Sequence, residues 1–490
     1  MKTVGKLFAY TLGLIAFVLF LVGLTTDSIP TLSISTFCAW AMAIIMALCA
    51  KKRNAIYIFF LTTFFIFLLS RIMVRWLRTG EIYIPYSTEA MRMTYCCIII
   101  SLFGLVVGNN TANIRFHLSR NKNELINSGS FARNEKRNSK LNLPCLRLLS
   151  AMFSIVCGLA TLLVVIERIA FWRVIGIGGE LRTSFVSALP EIVLRLSYIY
   201  VLMFCIYLAT LPEKRRCIPI ILQYLIVSAM KMFYGSRVDF VVGLMFILIY
   251  FTIRDRMNNE DKDKPYKWIG RPEKLFTFIS IPVLIILMVF VENFRTHSTF
   301  EFSGFLKTLG DFFEAQGTSV NVIGYTEIYA DKFMQPKYLY LFDNTYEFIT
   351  ANPLSKILTG RTAYLSNTVD RALYGTSLEM TLYYNMNQVS YLAGNGCGSS
   401  YIAEAWLGYG YVGLFILNLM LSRVMEKINE YRFDRLIPSV VTLVFLQSLF
   451  FTPRAGFDEF VGDLTSVTHI IAIIILWILY KLLDKRVFSY

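Results

Sequence analysis

Arginines in the short segments between apolar runs are the residues of this sequence whose type and spacing most suggest chemistry. Arg71, Arg75 and Arg78 follow one apolar run at spacings of four and three residues, which places them on one face of a helix. Comparable segments hold Arg168, Arg173, Arg182, Arg237 and Arg454, and Arg295 opens the long loop at 294–402. A guanidinium offers paired donors in a fixed plane, a geometry that matches phosphate oxygens. Arginines that converge from these segments would form a cationic pocket suited to a pyrophosphate.

Simpler roles are also open for the same arginines. The three that follow the third apolar run could extend their side chains to lipid headgroups. Arg237 follows a Gly-Ser turn and precedes Asp239 by two residues, so a local salt bridge could account for it. Helical spacing predicts ion pairs for two further couples, Glu89 with Arg92 and Glu191 with Arg195.

The composition shows which class of protein must position these residues. Of the 490 residues, 56% are hydrophobic and 17% are charged, whereas soluble domains carry about 25% charged residues. Apolar runs of about 20 residues recur along the chain, and each is long enough to cross a bilayer as a helix. The sequence therefore predicts an all-α polytopic membrane protein. The formal charge of +15 is typical of basic cytoplasmic loops, so no nucleic-acid partner is expected.

The apolar runs predict about twelve transmembrane helices. They lie at residues 6–24, 30–50, 55–72, 88–108, 144–166, 190–210, 217–232, 239–253, 275–293, 403–421, 436–452 and 464–480. With the N-terminus inside, most of the 48 lysines and arginines fall on the cytoplasmic side. The positive-inside rule therefore predicts that both termini are cytoplasmic.

Two long loops divide the chain. Residues 1–293 carry nine predicted spans and a polar, basic cytoplasmic loop at 109–143, which reads as a flexible linker. Residues 294–402 form one large outer loop, and residues 403–490 carry the last three spans. The outer loop is rich in Phe and Tyr and has helical stretches at 323–334 and 344–357, so we expect a small folded cap.

Metal chemistry is not expected from this sequence. Eight of the nine cysteines lie in or beside apolar runs without metal-ligand spacing, and the three histidines are far apart. His469 lies within an apolar span, where a buried structural histidine is the expected reading. The candidates for accepting a proton from a hydroxyl are His297, Glu404 and Asp458, and a departing phosphate could also accept it.

The layout and two short motifs resemble the Wzy-type O-antigen polymerases and, more loosely, the O-antigen ligase superfamily of membrane glycosyltransferases, which are GT-C-like. YGSR at 234–237 is similar to the arginine element that precedes a span in that family. AEAWLGYGYVG at 403–413 is similar to its glutamate followed by a glycine-rich helix entry. The resemblance covers about twelve spans and the single large outer loop.

The resemblance implies that the chain polymerises undecaprenyl-pyrophosphate-linked oligosaccharide repeat units on the periplasmic side of a bacterial inner membrane. It implies that Arg237 binds the donor's pyrophosphate and that Glu404 shapes the site. The residue types and positions considered above add Arg295 and His297 as catalytic candidates. The expected substrate-binding residues are Arg71, Arg75, Arg173, Arg454, Asp458 and Tyr234. No metal or other cofactor is expected. Membrane lipid is an expected partner, and a chain-length regulator protein stays open as another.

Two rival functions stay open from the residues. An O-antigen ligase is disfavoured because ligases carry a histidine just before the corresponding helix, where this sequence has Gly398, Ser399 and Ser400. A flippase for lipid-linked oligosaccharides would need charged residues through the whole membrane depth and short loops. Here the ionisable residues cluster at the predicted outer side, which favours a transferase.

Overall fold

The computed structural model is helical throughout the part of the chain that it describes. The described residues are 2–50, 54–83, 85–123, 142–175, 185–234, 237–260, 267–271, 273, 275, 279, 305–352, 355–357, 360 and 364–487. The α-helices of the first part are α1 (Lys2–Thr25), α2 (Ile29–Cys49), α3 (Ala55–Phe64), α4 (Ser70–Thr79), α5 (Thr88–Asn123), α6 (Leu143–Ile175), α7 (Glu191–Tyr198), α8 (Tyr200–Ala209), α9 (Lys214–Lys231) and α10 (Arg237–Glu260).

The second part begins with the helices of the large loop. These are α11 (Phe305–Gln316), α12 (Ser319–Ile328), α13 (Asp343–Thr350), α14 (Val369–Tyr374), α15 (Leu378–Met386) and α16 (Gln388–Leu392). The chain then continues through α17 (Tyr401–Glu430), α18 (Leu436–Leu449), α19 (Glu459–Thr465) and α20 (Val467–Val487). No strand occurs among the described residues, so the prediction of an all-helical chain is confirmed there.

Eight described helices are long and apolar enough to span a membrane, which makes the chain a multi-pass membrane protein. These spans are Thr3–Thr25, Ile29–Cys49, Ala55–Thr79, Thr88–Asn110, Leu143–Trp172, Lys214–Tyr234, Tyr401–Glu430 and Val467–Asp484. The predicted run at 190–210 forms two helices, α7 and α8, bent by 43°. The predicted run at 239–253 lies within α10, which is not among the eight, and the run at 436–452 contains α18, only 14 residues long. The run at 275–293 lies outside the described residues except at 275 and 279.

The predicted linker at 109–143 needs a correction at its start. The polar sequence predicts a flexible chain from 109 onward, whereas α5 stays helical through Asn123. An established helix adds one hydrogen bond for each residue it orders, so it can extend beyond its apolar part. Residues 124–141 lie outside the described residues.

The helices group into two compact units. The first comprises Met1–Ser119, Ser303–Tyr431 and Leu449–Glu459. Within it α1 packs on α2, α3 packs on α17, and the loop helices α11 and α12 contact the α3–α4 region and α17. Its fully buried core includes large side chains such as Tyr57, Phe60 and Tyr401, which supply much of the apolar area that stabilises such packing.

The second unit comprises Arg120–Phe302, Arg432–Ser448 and Phe460–Tyr490. Within it α6 packs against α7, α8, α9 and α20. The predicted ion pair of Arg195 with Glu191 is confirmed at 2.7 Å. His469 stacks on the Tyr198 ring with centroids 4.8 Å apart, and its Nε2 lies 3.2 Å from the Tyr198 carbonyl oxygen, as expected of a structural histidine.

Candidate active site

Glu404 lies in the first turn of α17 and is only 4% exposed. The Ser399 hydroxyl donates a hydrogen bond to Oε1 at 2.6 Å, and the Phe457 backbone N–H donates one to Oε2 at 2.9 Å. A helix N-terminus carries unpaired N–H groups and partial positive charge, which partly offsets the cost of burying this acidic side chain. Glu404 therefore joins the end of the large loop to the segment that follows α18.

Asp458, the residue after Phe457, is also buried, at 3% exposed. Its Oδ1 accepts from the backbone N–H and the side-chain amide of Asn344 at 3.3 and 3.2 Å, and its Oδ2 accepts from the Thr345 N–H at 2.8 Å. Asn344 and Thr345 belong to the first turn of α13. Asp458 thus binds the N-terminus of the loop helix α13, while the backbone N–H of the preceding residue, Phe457, donates to Glu404.

Arg454 is half-buried in a 3₁₀ turn just before these residues. Its Nη1 donates to the backbone carbonyl of Gln316 at 3.1 Å and to the side-chain Oε1 of Gln316 at 3.3 Å. These bonds satisfy part of the C-terminal end of α11, where carbonyl oxygens lack partners within the helix. Sequence analysis had singled out Glu404, Arg454 and Asp458 separately, and the structure brings them together at the entry to α17.

Glu379 of the large loop supplies the charge opposite Arg454. Burial raises the pKa of the Glu379 carboxyl. The hydrogen bond from the Gly398 N–H at 3.2 Å and the positive charge of Arg454 both lower it, but by less than burial raises it. Burial likewise lowers the pKa of the Arg454 guanidinium, against the attraction of Glu379. Gly398 has a φ of +75°, a left-handed conformation that few residues other than glycine adopt readily.

Arg71 and Arg75 fasten α4 to α11. Arg71 Nη1 donates to the Glu314 carbonyl oxygen at 3.1 Å, and Arg75 Nε forms an ion pair with the Glu314 carboxylate. Their guanidinium carbons lie 4.9 and 5.4 Å from the centroid of the Tyr83 ring, within the range of cation–π attraction. The two arginines therefore contact the large loop, so contact with lipid headgroups is not their only role.

Arg78 extends the same contact. It forms ion pairs with Glu314 at 2.9 Å and with Asp311 at 2.8 Å. Gly317, just after α11, lets the backbones of the two segments approach closely, because a Cβ added there would lie 2.6 Å from the backbone nitrogen of Arg71. The end of α11 is thus held from two directions, by Arg71 and by Arg454.

The glycines of the AEAWLGYGYVG motif shape the entry to α17. Gly410 has φ +64° and ψ −163°, which interrupts the helix between a short first part that carries Glu404 and the longer part that follows. This backbone region is essentially restricted to glycine. A Cβ on Gly408 would lie 3.0 Å from the Cα of Tyr338, so this glycine permits close approach of the loop.

The remaining predicted residues belong to the second unit or lie outside the described residues. Arg237 is the first residue of α10 and Arg173 lies near the end of α6, but their side chains lie outside what the structure describes. Arg295 and His297 lie outside the described residues altogether. The ring of Tyr234 faces the Arg168 guanidinium at 5.6 Å.

One of the predicted local ion pairs has another partner. Arg92 pairs with Asp27, whereas helical spacing predicted Glu89. Asp27 lies in the turn after α1, 65 residues from Arg92, and a sequence pattern does not show such an approach. Asp239 pairs with Lys231 at 3.9 Å; the side chain of Arg237 lies outside what the structure describes, so its local salt bridge with Asp239 stays a prediction.

Sequence reasoning missed the loop residues that support the site. Arg371, whose side chain is 11% exposed, forms ion pairs with Asp343 at 3.1 Å and with Glu347, and Thr376 donates to Asp343 at 2.6 Å. Burial raises the pKa of Asp343, opposed by the charge of Arg371 and the Thr376 hydroxyl. Asp343 and Glu347 stand at helical spacing, which was a usable signal, but Arg371 lies 28 residues from Asp343.

The arrangement can hold sugar hydroxyls and stabilise charge. Carboxylates accept hydrogen bonds from hydroxyl groups, and arginine donates to phosphate or sugar oxygens. Comparison with known protein families matches the chain, over residues 8–487, to the model described as O-antigen polysaccharide polymerase Wzy. No curated protein and no solved structure matches the chain. Because the family model covers nearly the whole sequence, the chain belongs to the O-antigen polysaccharide polymerase Wzy family.

Proposed function

We propose that this polymerase joins undecaprenyl-pyrophosphate-linked oligosaccharide repeat units at the periplasmic face of the bacterial inner membrane. The observation that carries the proposal is the meeting of Glu404, Arg454 and Asp458 at the entry to α17, where the large loop returns to the membrane helices. Family membership supports a glycosyl-transfer reaction that builds a polysaccharide.

The reaction breaks the bond between the anomeric carbon of the donor sugar and the pyrophosphate oxygen. The acceptor hydroxyl forms the new glycosidic bond and loses its proton, and undecaprenyl pyrophosphate leaves with the electron pair of the broken bond. Guanidinium groups can stabilise the charge that develops on the leaving group, and each such contact lowers the barrier by about 2–4 kcal/mol. We assign this role to Arg237, with Arg173 and Arg295 as additional candidates.

The hydrogen bonds of the two buried carboxylates distinguish their proposed roles. A carboxylate offers about four acceptor positions. Asp458 uses three of them on Asn344 and Thr345, so it mainly fixes the loop. Glu404 uses two, on Ser399 and Phe457. Glu404 therefore keeps more capacity than Asp458 to accept a hydrogen bond from a substrate hydroxyl, and we assign it the role of orienting the acceptor. His297 is the alternative base.

Aromatic side chains of the loop suit the apolar faces of sugar rings. Tyr338 packs its backbone against Gly408 in α17, while the residue is 53% exposed. An exposed ring fixed in this way beside the Glu404 helix can stack on a pyranose. We propose Tyr338 as a platform for the repeat unit.

Reconstitution of the purified chain in liposomes with a lipid-linked repeat unit tests the proposal. We expect a ladder of longer lipid-linked products from repeat units alone, and we expect turnover to persist in excess chelator. Product that forms only when lipid A core acceptor is added would identify a ligase. Movement of the lipid-linked unit across the bilayer without a new glycosidic bond would identify a flippase. Either result would reject the proposed polymerisation.

A further inference from the structure

A cavity of about 380 Å³ lies in the first unit, and neither Glu404 nor Arg454 lines it. Residues of α1, α5, α12 and α17 line it. Volumes of this size are typical of sites for small molecules or parts of larger ones. Its lining residues have not entered the proposed transfer reaction.

The polarity of the cavity changes along the helices that line it. Phe20 and Leu24 of α1 stand one helical turn apart, and Met93 and Ile100 stand on one face of α5. These four apolar side chains belong to membrane spans. The charged residues are gathered at the start of α5, with Glu89 and Arg92, and on α12, with Glu327. A cavity that is apolar along the spans and charged at their end matches an amphiphile.

The charged end has an excess of carboxylates. Arg92 forms its ion pair with Asp27, so one arginine stands against three carboxylates, those of Asp27, Glu89 and Glu327. The Oε2 atom of Glu327 is shut off from solvent and has no hydrogen-bond partner. An unpaired carboxylate oxygen in such a position is destabilising until a donor reaches it. A ligand that brings a cationic N–H group would supply that donor.

Electrostatics at Glu327 agree with this reading. Burial raises the pKa of Glu327, and the charge of Glu89 raises it further, while Arg92 acts in the opposite direction. The neighbourhood therefore disfavours the two negative charges unless a positive charge joins them. Tyr411 adds an aromatic wall one residue beyond the break at Gly410, and an aromatic face also attracts a cation.

We propose that this cavity binds a phospholipid whose headgroup carries a primary ammonium, such as phosphatidylethanolamine. The ammonium lies between Glu89 and Glu327, the phosphate lies toward Arg92, and an acyl chain follows Phe20 and Leu24. An ammonium with three N–H groups can donate to both carboxylates. The trimethylated headgroup of phosphatidylcholine has no N–H to donate, and phosphatidylglycerol brings a net negative charge to two carboxylates.

Native mass spectrometry of the full chain in detergent tests the proposal. Phosphatidylethanolamine, phosphatidylcholine and phosphatidylglycerol with identical acyl chains are added at equal concentrations. We expect the bound fraction of phosphatidylethanolamine to be about tenfold higher than that of either other lipid. A hydrogen bond to a charged group changes an affinity by about tenfold or more. Glu327→Gln and, separately, Glu89→Gln should abolish the preference. Glu81→Gln, at an exposed position outside the cavity, should preserve it.

Three results would overturn the proposal. Equal retention of the three lipids by the unsubstituted chain would show no selective site, and this comparison needs no variant. Preferential retention of phosphatidylglycerol would show an anion site at Arg92. A full preference for phosphatidylethanolamine in both glutamine variants would place the selective site elsewhere.

Discussion

The carboxylate of Glu404 accepts a hydrogen bond at 2.9 Å from the backbone N–H of Phe457, 53 residues further along the chain. This bond connects the first turn of α17 to the segment that carries Arg454 and Asp458. Because the segment also holds α11 through Arg454 and α13 through Asp458, one short stretch fixes two loop helices relative to α17. The loop is thereby positioned over the helix entry where we place the acceptor.

Glu404→Gln tests the role of the carboxyl group itself. The amide oxygen of glutamine can still accept from the Phe457 N–H, and the amide N–H can donate to the Ser399 hydroxyl, so the connection is kept while the charge and the proton-accepting oxygen are lost. We expect roughly a tenfold to hundredfold loss of turnover in the liposome assay, because a hydrogen bond from the acceptor hydroxyl to a charged group contributes about 1.5–3 kcal/mol. Ser399→Ala removes one contact and leaves the carboxyl group in place, so it should lose less. Glu81→Gln is the exposed control, and a Glu404→Gln protein as active as that control would remove Glu404 from the site.

Gly410→Ala tests the break in α17. At φ +64° and ψ −163° a side chain is strained by about 1–3 kcal/mol. We therefore expect a lower unfolding temperature in detergent and a reduced turnover, since a straightened helix would move Glu404 away from Phe457. Val412→Ala, at a position 72% exposed on the same helix, is the matched control and should change neither quantity. An unfolding temperature for Gly410→Ala equal to that of the control would show that the break is not needed.

The ion pairs between α4 and α11 predict different effects for two acidic residues of the same helix. Glu314 pairs with both Arg75 and Arg78 and its side chain is 17% exposed, whereas Asp311 pairs only with Arg78 and is 53% exposed. Glu314→Ala should lower the stability by about 1–2 kcal/mol, because the arginines are half-exposed and solvent screens the pairs. Asp311→Ala should cost about 0–1 kcal/mol. Chemical unfolding in detergent measures both values, and equal losses would contradict the assignment of Glu314 as the main contact.

The pH dependence of stability tests the environment of Glu379. Burial raises the pKa of Glu379 in the folded chain, so the folded form binds the proton more tightly than the unfolded form does. Stability from this group is then present below the ordinary glutamate pKa of about 4.3 and is lost as the pH rises through the higher folded value. The unfolding temperature of the wild type minus that of Glu379→Gln should therefore fall as the pH rises from about 4 to about 8. A difference that grows with pH would mean that the attraction of Arg454 outweighs burial.

Long apolar runs were the part of the fold that sequence could predict. The runs at 6–24, 30–50 and 88–108 correspond to α1, α2 and the first part of α5, because about 20 apolar residues are enough to specify a span. The bend between α7 and α8 was not predicted, since the residue at the break, Ile199, is as apolar as its neighbours. The break at Gly410 was not predicted either, because a glycine within an apolar helix does not by itself indicate a positive φ.

The candidate site was predictable as residue types but not as contacts. Their spacing on one helical face identified Arg71 and Arg75 as candidates. Their shared partner, Glu314, lies more than 230 residues further along the chain and belongs to no motif. Likewise, its position before a glycine-rich helix entry identified Glu404 as a candidate. The group that donates to Glu404 is the backbone N–H of Phe457, which almost any residue at that position could supply. Side-chain chemistry is visible in a sequence, whereas partners that only folding brings together are not.

The central proposal, that guanidinium groups hold the pyrophosphate as it leaves, is tested most directly by the turnover of Arg237→Lys in the liposome assay. An ammonium keeps the charge but cannot reproduce the paired donors of the planar guanidinium. We predict that Arg237→Lys expresses and inserts normally but loses most of its turnover, with kcat lowered more than KM is raised, and that Arg237→Ala is no better. Arg195→Lys, in an exposed ion pair of the same unit that lysine can maintain, should retain wild-type turnover. Wild-type length and yield of polymer from Arg237→Lys would contradict the proposal.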